Sequence, residues 1–75
     1  VPRMESTIRN VLTELVGEEA GAAGKQDDLR PLGLDSVAFI KVVVALEEAT
    51  GKEVDDAYLL LDAMNTIEKM EAALQ

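Results

Sequence analysis

The sequence predicts an all-α protein, a small four-helix bundle with three principal helices, one short helix and a long loop between the first two helices. Its 75 residues suffice for one small domain with a single modest core. Apolar residues recur with helical spacing in three separate segments. Capping residues and glycines stand where these segments begin and end, as helix boundaries require.

The first helix is predicted from an apolar stripe that precedes Gly17, a residue suited to a C-terminal cap. The stripe has the spacing of one helix face and consists of Met4, Ile8, Val11, Leu12, Leu15 and Val16. Residues 1–3 are interpreted as a cloning remnant or the end of an interdomain linker. The domain is therefore placed at residues 4–75.

Residues 17–33 are rich in glycine, alanine and charge and show no sustained period, so they are predicted to form a long loop. A loop of this length is unusual in a compact domain unless it is functional or tied down. The expected ties are Leu29, Leu32 and Leu34. Residues 20–24 are predicted to be a solvated, mobile spacer.

The stretch Leu-Gly-Leu-Asp-Ser-Val predicts the start of the second helix, which runs from Ser36 to Thr50. Asp35 is the expected N-cap, and Leu34 and Phe39 have the spacing of a hydrophobic staple. The Ser36 hydroxyl then lies at the positive end of the helix, where the dipole and exposed amides favour a phosphate group. An Asp-Ser pair taken alone is more often only a cap.

The second helix is apolar on two sides. Its core face is predicted to consist of Phe39, Val42, Val43, Leu46 and Ala49. A second group, Val37, Ile40 and Val44, lies on another side and is called the docking strip below. Its polar border comprises Ser36, Lys41, Glu47 and Glu48. We interpret the strip as a transient partner-binding surface, and the alternative is that another helix or the long loop buries it.

The remaining helices are predicted from caps. Asp55 or Asp56 is expected to cap a short third helix through about Leu61. Asn65 and Glu68 have capping-box spacing at the start of the last helix. The inner stripe of that helix consists of Ile67, Met70, Ala73 and Leu74.

Composition excludes several classes of function. Cysteine and histidine are absent, which removes disulfides, thiolate nucleophiles, imidazole bases and the usual zinc ligands. The net charge of −8 disfavours nucleic acid and anionic membranes and favours protein partners with basic surfaces. No apolar run approaches the roughly 20 residues that span a bilayer, and no signal peptide is found, so a cytoplasmic location is expected.

No catalytic residue and no metal ligand is predicted. The sequence around Ser36 lacks the glycine pattern of a nucleophile elbow, which argues against a serine hydrolase. An acidic cluster surrounds the end of the second helix and the third helix, but it lacks the ligand spacing and central glycine of an EF-hand loop. We interpret it as a solvated face or as a surface that steers partners. Its members are Glu47, Glu48, Glu53, Asp55 and Asp56.

The residues Gly33-Leu34-Asp35-Ser36-Val37 and the helix order resemble the acyl and peptidyl carrier proteins, from about Met4 to Leu74. In that family a Gly-x-Asp-Ser-hydrophobic motif presents the serine that receives phosphopantetheine. The resemblance implies that Ser36 carries this group, derived from coenzyme A, and that Asp35 contacts the phosphopantetheinyl transferase. The arm's thiol would hold acyl or aminoacyl intermediates as thioesters. Implied partners are the transferase, an acyl- or aminoacyl-loading enzyme, and ketosynthase, condensation or tailoring enzymes.

The details of the motif suggest a subtype. The form Leu-Gly-Leu-Asp-Ser resembles acyl carriers and freestanding carriers of polyketide and nonribosomal-peptide pathways more than embedded peptidyl carriers. Val37 stands where leucine is commoner, and Ala38 and Lys41 stand where many fatty-acid carriers have acids. We therefore expect a monomeric carrier of secondary metabolism. The alternative is an unmodified helical adaptor that binds a protein partner through the docking strip.

Overall fold

The computed structural model describes residues 3–74, which are helical or irregular throughout. Its four α-helices are α1 (Arg3–Leu15), α2 (Glu18–Gly21), α3 (Ser36–Thr50) and α4 (Ile67–Ala73). Short 3₁₀ turns occupy Arg30–Leu32, Asp56–Tyr58 and Leu61–Ala63. The predicted all-α fold class is confirmed. Val1 and Pro2 of the proposed remnant, and Gln75, lie outside the described residues.

The core lies where α1 packs against α2, α3 and α4. Its fully buried side chains come from all three long helices and include Ile8, Leu12, Val42, Leu46, Ile67 and Met70. The loop adds Leu29 and Leu34, which are also fully buried, and Leu32 packs half-buried against the same cluster. The three predicted ties of the long loop are therefore confirmed.

Two residues predicted to face the core are exposed. Leu15 retains 40% of its surface because it is the last residue of α1, at the edge of the packed region. Ala49 lies beside an open depression that it shares with Met4 and Thr7. Each prediction extended an apolar stripe into the last turn of its helix, where fewer neighbouring side chains are available to cover it.

The segment between α1 and α3 contains more structure than predicted. Residues 20–24 were expected to be a mobile spacer, but Ala20 and Gly21 belong to α2 and are buried, as is Ala23. The Arg9 side chain donates hydrogen bonds from Nη1 to the Gly21 carbonyl at 3.2 Å and to the Ala23 carbonyl at 2.6 Å. The spacer prediction is wrong because small side chains allow this segment to pack closely on α1.

The second half of the chain differs from prediction in two places. The short third helix is a 3₁₀ turn, Asp56–Tyr58, at whose start Asp55 Oδ1 accepts a hydrogen bond from the Ala57 amide at 2.9 Å. It ends before the predicted Leu61, because extended backbone at Leu60 (φ −127°, ψ 138°) separates it from a second 3₁₀ turn. The capping box at Asn65 is also wrong, because Thr66 caps α4 by accepting a hydrogen bond from the Lys69 amide at 3.1 Å. The Asn65 side chain instead accepts from Lys69 Nζ at 3.0 Å. The predicted inner stripe of the last helix is buried and is confirmed.

Ion pairs tie the loop before α3 to the 3₁₀ turn at Leu61–Ala63. Arg30 contacts Asp28 at 2.8 Å and Asp62 at 2.5 Å. The Arg30 side chain and backbone amide both donate to Asp28, and these hydrogen bonds hold the pKa of that carboxyl well below its usual range. The charged form of Asp28 is therefore favoured in the folded state.

Acid is expected to destabilise the fold through Asp28. Because the pKa of Asp28 is lower in the folded chain, the unfolded chain binds more protons below about pH 4. Its stabilising contribution is present above that pH and is lost as the pH falls. Asp28→Asn should therefore flatten the fall of the melting temperature in acid. Glu14→Gln, at an exposed carboxyl of α1, is the control, and an equal acid slope in Asp28→Asn and wild type would contradict the expectation.

Within the described residues, no helix combines the length and the apolar composition needed to cross a membrane.

Candidate functional site

The loop before α3 fixes the position of Ser36. Gly33 has a left-handed backbone (φ 117°), and a Cβ atom there would lie 3.3 Å from Val16 Cγ1. Asp35 is extended and accepts a hydrogen bond from the Ala38 amide at 2.8 Å, which confirms it as the N-cap. Ser36 is the first residue of α3. The turn and the cap together place its side chain at the helix terminus.

The Ser36 hydroxyl is exposed and forms no side-chain hydrogen bond to any described residue. The chain has no histidine, so it offers no imidazole base to activate this oxygen. The adjoining amides and the helix dipole favour an anionic substituent at this position. The arrangement suits a hydroxyl that an external enzyme modifies, and it does not suit a nucleophile that the chain activates itself.

The docking strip lies exposed beside Ser36. Val37, Ile40 and Val44 retain 64%, 63% and 49% of their surfaces. The alternative that another helix or the loop buries this strip is therefore wrong. Its role in binding a partner stays a prediction.

The polar border of the docking strip is not uniform. Lys41 and Glu48 are exposed, and Lys41 forms no ion pair within the part of the chain that the structure describes. Glu47 differs, because it is half-buried and its Oε2 accepts a hydrogen bond from the Val54 amide at 2.8 Å. Glu47 thus has a contact inside the fold that sequence reasoning missed.

A groove of about 250 Å³ adjoins the docking strip. Its walls and floor are formed by Phe39, Ile40, Val43, Val44, Glu47 and Leu59. The site prediction did not include Leu59 or its sequence neighbours Tyr58 and Leu60, which are all exposed apolar residues. Their uniformly apolar run between acidic residues was a usable sequence feature, since so short a segment cannot bury every side chain.

The acidic cluster lies partly in the last turns of α3, with Glu47 and Glu48, and partly in the segment after it. Among the described residues, no group of three or more acidic side chains is placed to hold a metal ion.

Comparisons with known proteins agree with this geometry. A family model described as the phosphopantetheine attachment site matches residues 6–74. A similar chain occurs in the solved structure of a complex, described as an engineered Bradyrhizobium japonicum glycine:[carrier protein] ligase complexed with a carrier protein from Agrobacterium tumefaciens and ATP. It is 26% identical over 93% of this chain and 94% of that chain, with a TM-score of 0.82.

A second solved structure shares the fold. It is hexanoyl ACP from the actinorhodin polyketide synthase of Streptomyces coelicolor, 21% identical over 89% of this chain and 80% of that chain, with a TM-score of 0.72.

Proposed function

The chain belongs to the phosphopantetheine attachment-site family, and we propose that it carries acyl or aminoacyl intermediates as thioesters on an arm attached to Ser36. Domains of this family are the attachment sites of the covalent phosphopantetheine group, and they carry substrates rather than catalyse reactions. The observation that carries the assignment to Ser36 is its exposed position as the first residue of α3, a helix that Asp35 caps through the Ala38 amide.

The chain's own residues fit the attached group. Phosphopantetheine supplies the thiol, which this cysteine-free chain lacks. The first amides of α3 and the helix dipole stabilise the phosphate that would be bonded to the Ser36 oxygen. The Asp35 cap keeps these amides in place, and we propose that Asp35 also contacts the phosphopantetheinyl transferase.

The fixed attachment point at Ser36 and the flexible phosphopantetheine arm have different functions. Ser36 is fixed by the cap and by the α3 helix, so the arm starts from one defined point. A tethered intermediate reaches each partner active site at high effective concentration instead of diffusing freely. A carrier of this kind needs no catalytic group of its own.

The proposed pathway is polyketide or nonribosomal-peptide biosynthesis. The part of α3 near Ser36 contains no acidic residue, since Ala38 and Lys41 stand where an acid is common in fatty-acid carriers. The acidic residues of α3, Glu47 and Glu48, lie near its C-terminal end. The similar structures from a carrier-protein ligase complex and from a polyketide synthase are consistent with this setting. We propose as partners a loading ligase and then ketosynthase, condensation or tailoring enzymes. The cytoplasmic location and the monomeric state stay predictions.

The proposed function is tested by intact mass. The protein is incubated with coenzyme A and a broad-specificity phosphopantetheinyl transferase, and a gain of one phosphopantetheine group is expected. Peptide mapping should place the added mass on the segment that contains Ser36. An unchanged mass under conditions that load another carrier would contradict the proposal.

The docking strip yields a second test. Ile40→Glu or Val44→Glu should slow cargo transfer to partner enzymes at least tenfold, since a buried charge replaces an apolar contact worth about 1–2 kcal/mol. The free energy of unfolding should change by only about 0.5 kcal/mol, because both side chains face water. Melting curves and single-turnover transfer assays measure the two effects.

Leu15→Glu is the matched control for the strip variants. Leu15 is also an exposed large apolar residue, but it lies at the end of α1, outside the strip. Its substitution should leave transfer unchanged. A large drop in melting temperature for Ile40→Glu would show that the strip serves the core.

A further inference from the structure

The exposed apolar side chains of the described residues concentrate around one groove. Seven large apolar residues are exposed, and six of them belong either to the docking strip or to the run Tyr58, Leu59 and Leu60. The lining of the groove includes Ile40 and Val44 from α3 and Leu59 from the segment that follows α3. The strip on α3 therefore has a second apolar side, contributed by the segment after it.

The segment that contributes this second side forms few hydrogen bonds to α3. Residues 54–60 contain only a 3₁₀ turn, whose hydrogen bonds within the segment run to Asp55 from the amides of Ala57 and Tyr58. Among the described residues, one hydrogen bond joins this segment to α3, from the Val54 amide to Glu47 Oε2 at 2.8 Å. Val54 is buried next to it. Among the described residues, the hydrogen-bonded link from the second side to α3 is thus made by one carboxylate, beside the apolar contact of Val54 with the core.

We propose that Glu47 is a positioning residue, whose carboxylate holds the Val54 amide and thereby fixes the Tyr58–Leu60 side of the groove against α3. The inference rests on the proposed function, because it assigns this groove to the surface that meets partner enzymes. A carboxylate that accepts a backbone N–H forms a stronger hydrogen bond than a neutral acceptor does. Without the Glu47 carboxylate, the buried Val54 amide loses its hydrogen-bond acceptor.

The proposal makes Glu47 differ from its neighbour Glu48. Both were predicted to border the docking strip through their charges, but only Glu47 is half-buried and hydrogen-bonded to the backbone of the next segment. A charge role requires a negative group at residue 47. A positioning role requires a hydrogen-bond acceptor there. These requirements can be separated by substitution.

Three variants make that separation. Glu47→Gln removes the charge and keeps an acceptor oxygen, Glu47→Ala removes both, and Glu48→Ala removes a charge from the adjacent exposed position. The first readout is hydrogen exchange at the Val54 amide, followed by NMR. Exchange should accelerate about tenfold or more in Glu47→Ala, by less in Glu47→Gln, and should stay at the wild-type rate in Glu48→Ala.

The second readout is loading by a broad-specificity phosphopantetheinyl transferase. Glu47→Ala should raise the KM for the carrier about fivefold with little change in kcat, and Glu47→Gln should recover most of that loss. Equal KM values for the two Glu47 variants would overturn the proposal and assign the effect to charge. Wild-type Val54 exchange in Glu47→Ala would also overturn it. If the wild-type protein is not loaded at all, the proposed function fails, while the exchange rates still decide the role of Glu47.

Discussion

Ser36→Ala is expected to abolish loading with phosphopantetheine completely. The substitution removes the oxygen that would bond to the phosphate, and no other group at the start of α3 can replace it. The free energy of unfolding should change by about 0.5 kcal/mol or less, because the hydroxyl is exposed and makes no hydrogen bond to the described residues. Intact mass after incubation with coenzyme A and transferase measures the loading, and a denaturant titration measures the stability.

The chain offers a closely matched control for this substitution. It has two serines, and the other, Ser6, is exposed on α1. Ser6→Ala should be loaded like the wild type. Added mass on Ser36→Ala, or its loss from Ser6→Ala, would contradict the assignment of the attachment site. If neither variant nor the wild type were loaded, Ser36 would serve only at the helix start, and the adaptor interpretation of the docking strip would gain support.

The part of the site that was predicted correctly depends on local interactions. The bounds of α3, Ser36–Thr50, follow from a cap at Asp35 and a left-handed glycine at Gly51, both of which act within one turn of the helix. The grouping of the docking strip on a side of its own follows from helical periodicity, and its polar border favoured the exposure that the structure shows. Sequence pattern is sufficient where the cause lies within a few neighbouring residues.

The part that was missed depends on contacts between segments. Glu47 carries no sequence feature that distinguishes it from Glu48, and only the folded chain shows that its carboxylate meets the Val54 amide. The apolar run from Ala57 to Leu61 is short and lacks alternating polar residues, so periodicity could not choose a buried face for it. The second side of the groove is therefore a property of the fold.

Small residues between α1 and α3 were misinterpreted for a related physical reason. A run of alanine and glycine lacks large apolar side chains, so it resembles a solvated spacer in sequence. In the structure the missing side chains permit α2 to approach α1 closely, and the Arg9 side chain binds the Gly21 and Ala23 carbonyls. Absence of side-chain volume can therefore indicate close packing as well as exposure.

Gly21→Ala is expected to destabilise the protein by about 2 kcal/mol, the range of an overpacked contact. A Cβ atom at residue 21 would lie 1.8 Å from Thr13 Oγ1 and 2.9 Å from the Arg9 carbonyl oxygen. Thr13 cannot yield freely, because its hydroxyl donates to that same carbonyl at 2.9 Å. A domain of this size has a total stability of only about 3–5 kcal/mol. The midpoint of urea unfolding should fall accordingly.

Two further variants isolate the cause of that loss. Ala22→Ser changes the adjacent residue, which is exposed, and should leave the unfolding midpoint unchanged. Thr13→Ala combined with Gly21→Ala removes the closest clash and should recover part of the stability, while the contact with the Arg9 carbonyl keeps the recovery incomplete. If Gly21→Ala unfolds at the same urea concentration as the wild type, α2 does not pack on α1 in solution. Residues 20–24 would then be the mobile spacer that their composition suggests.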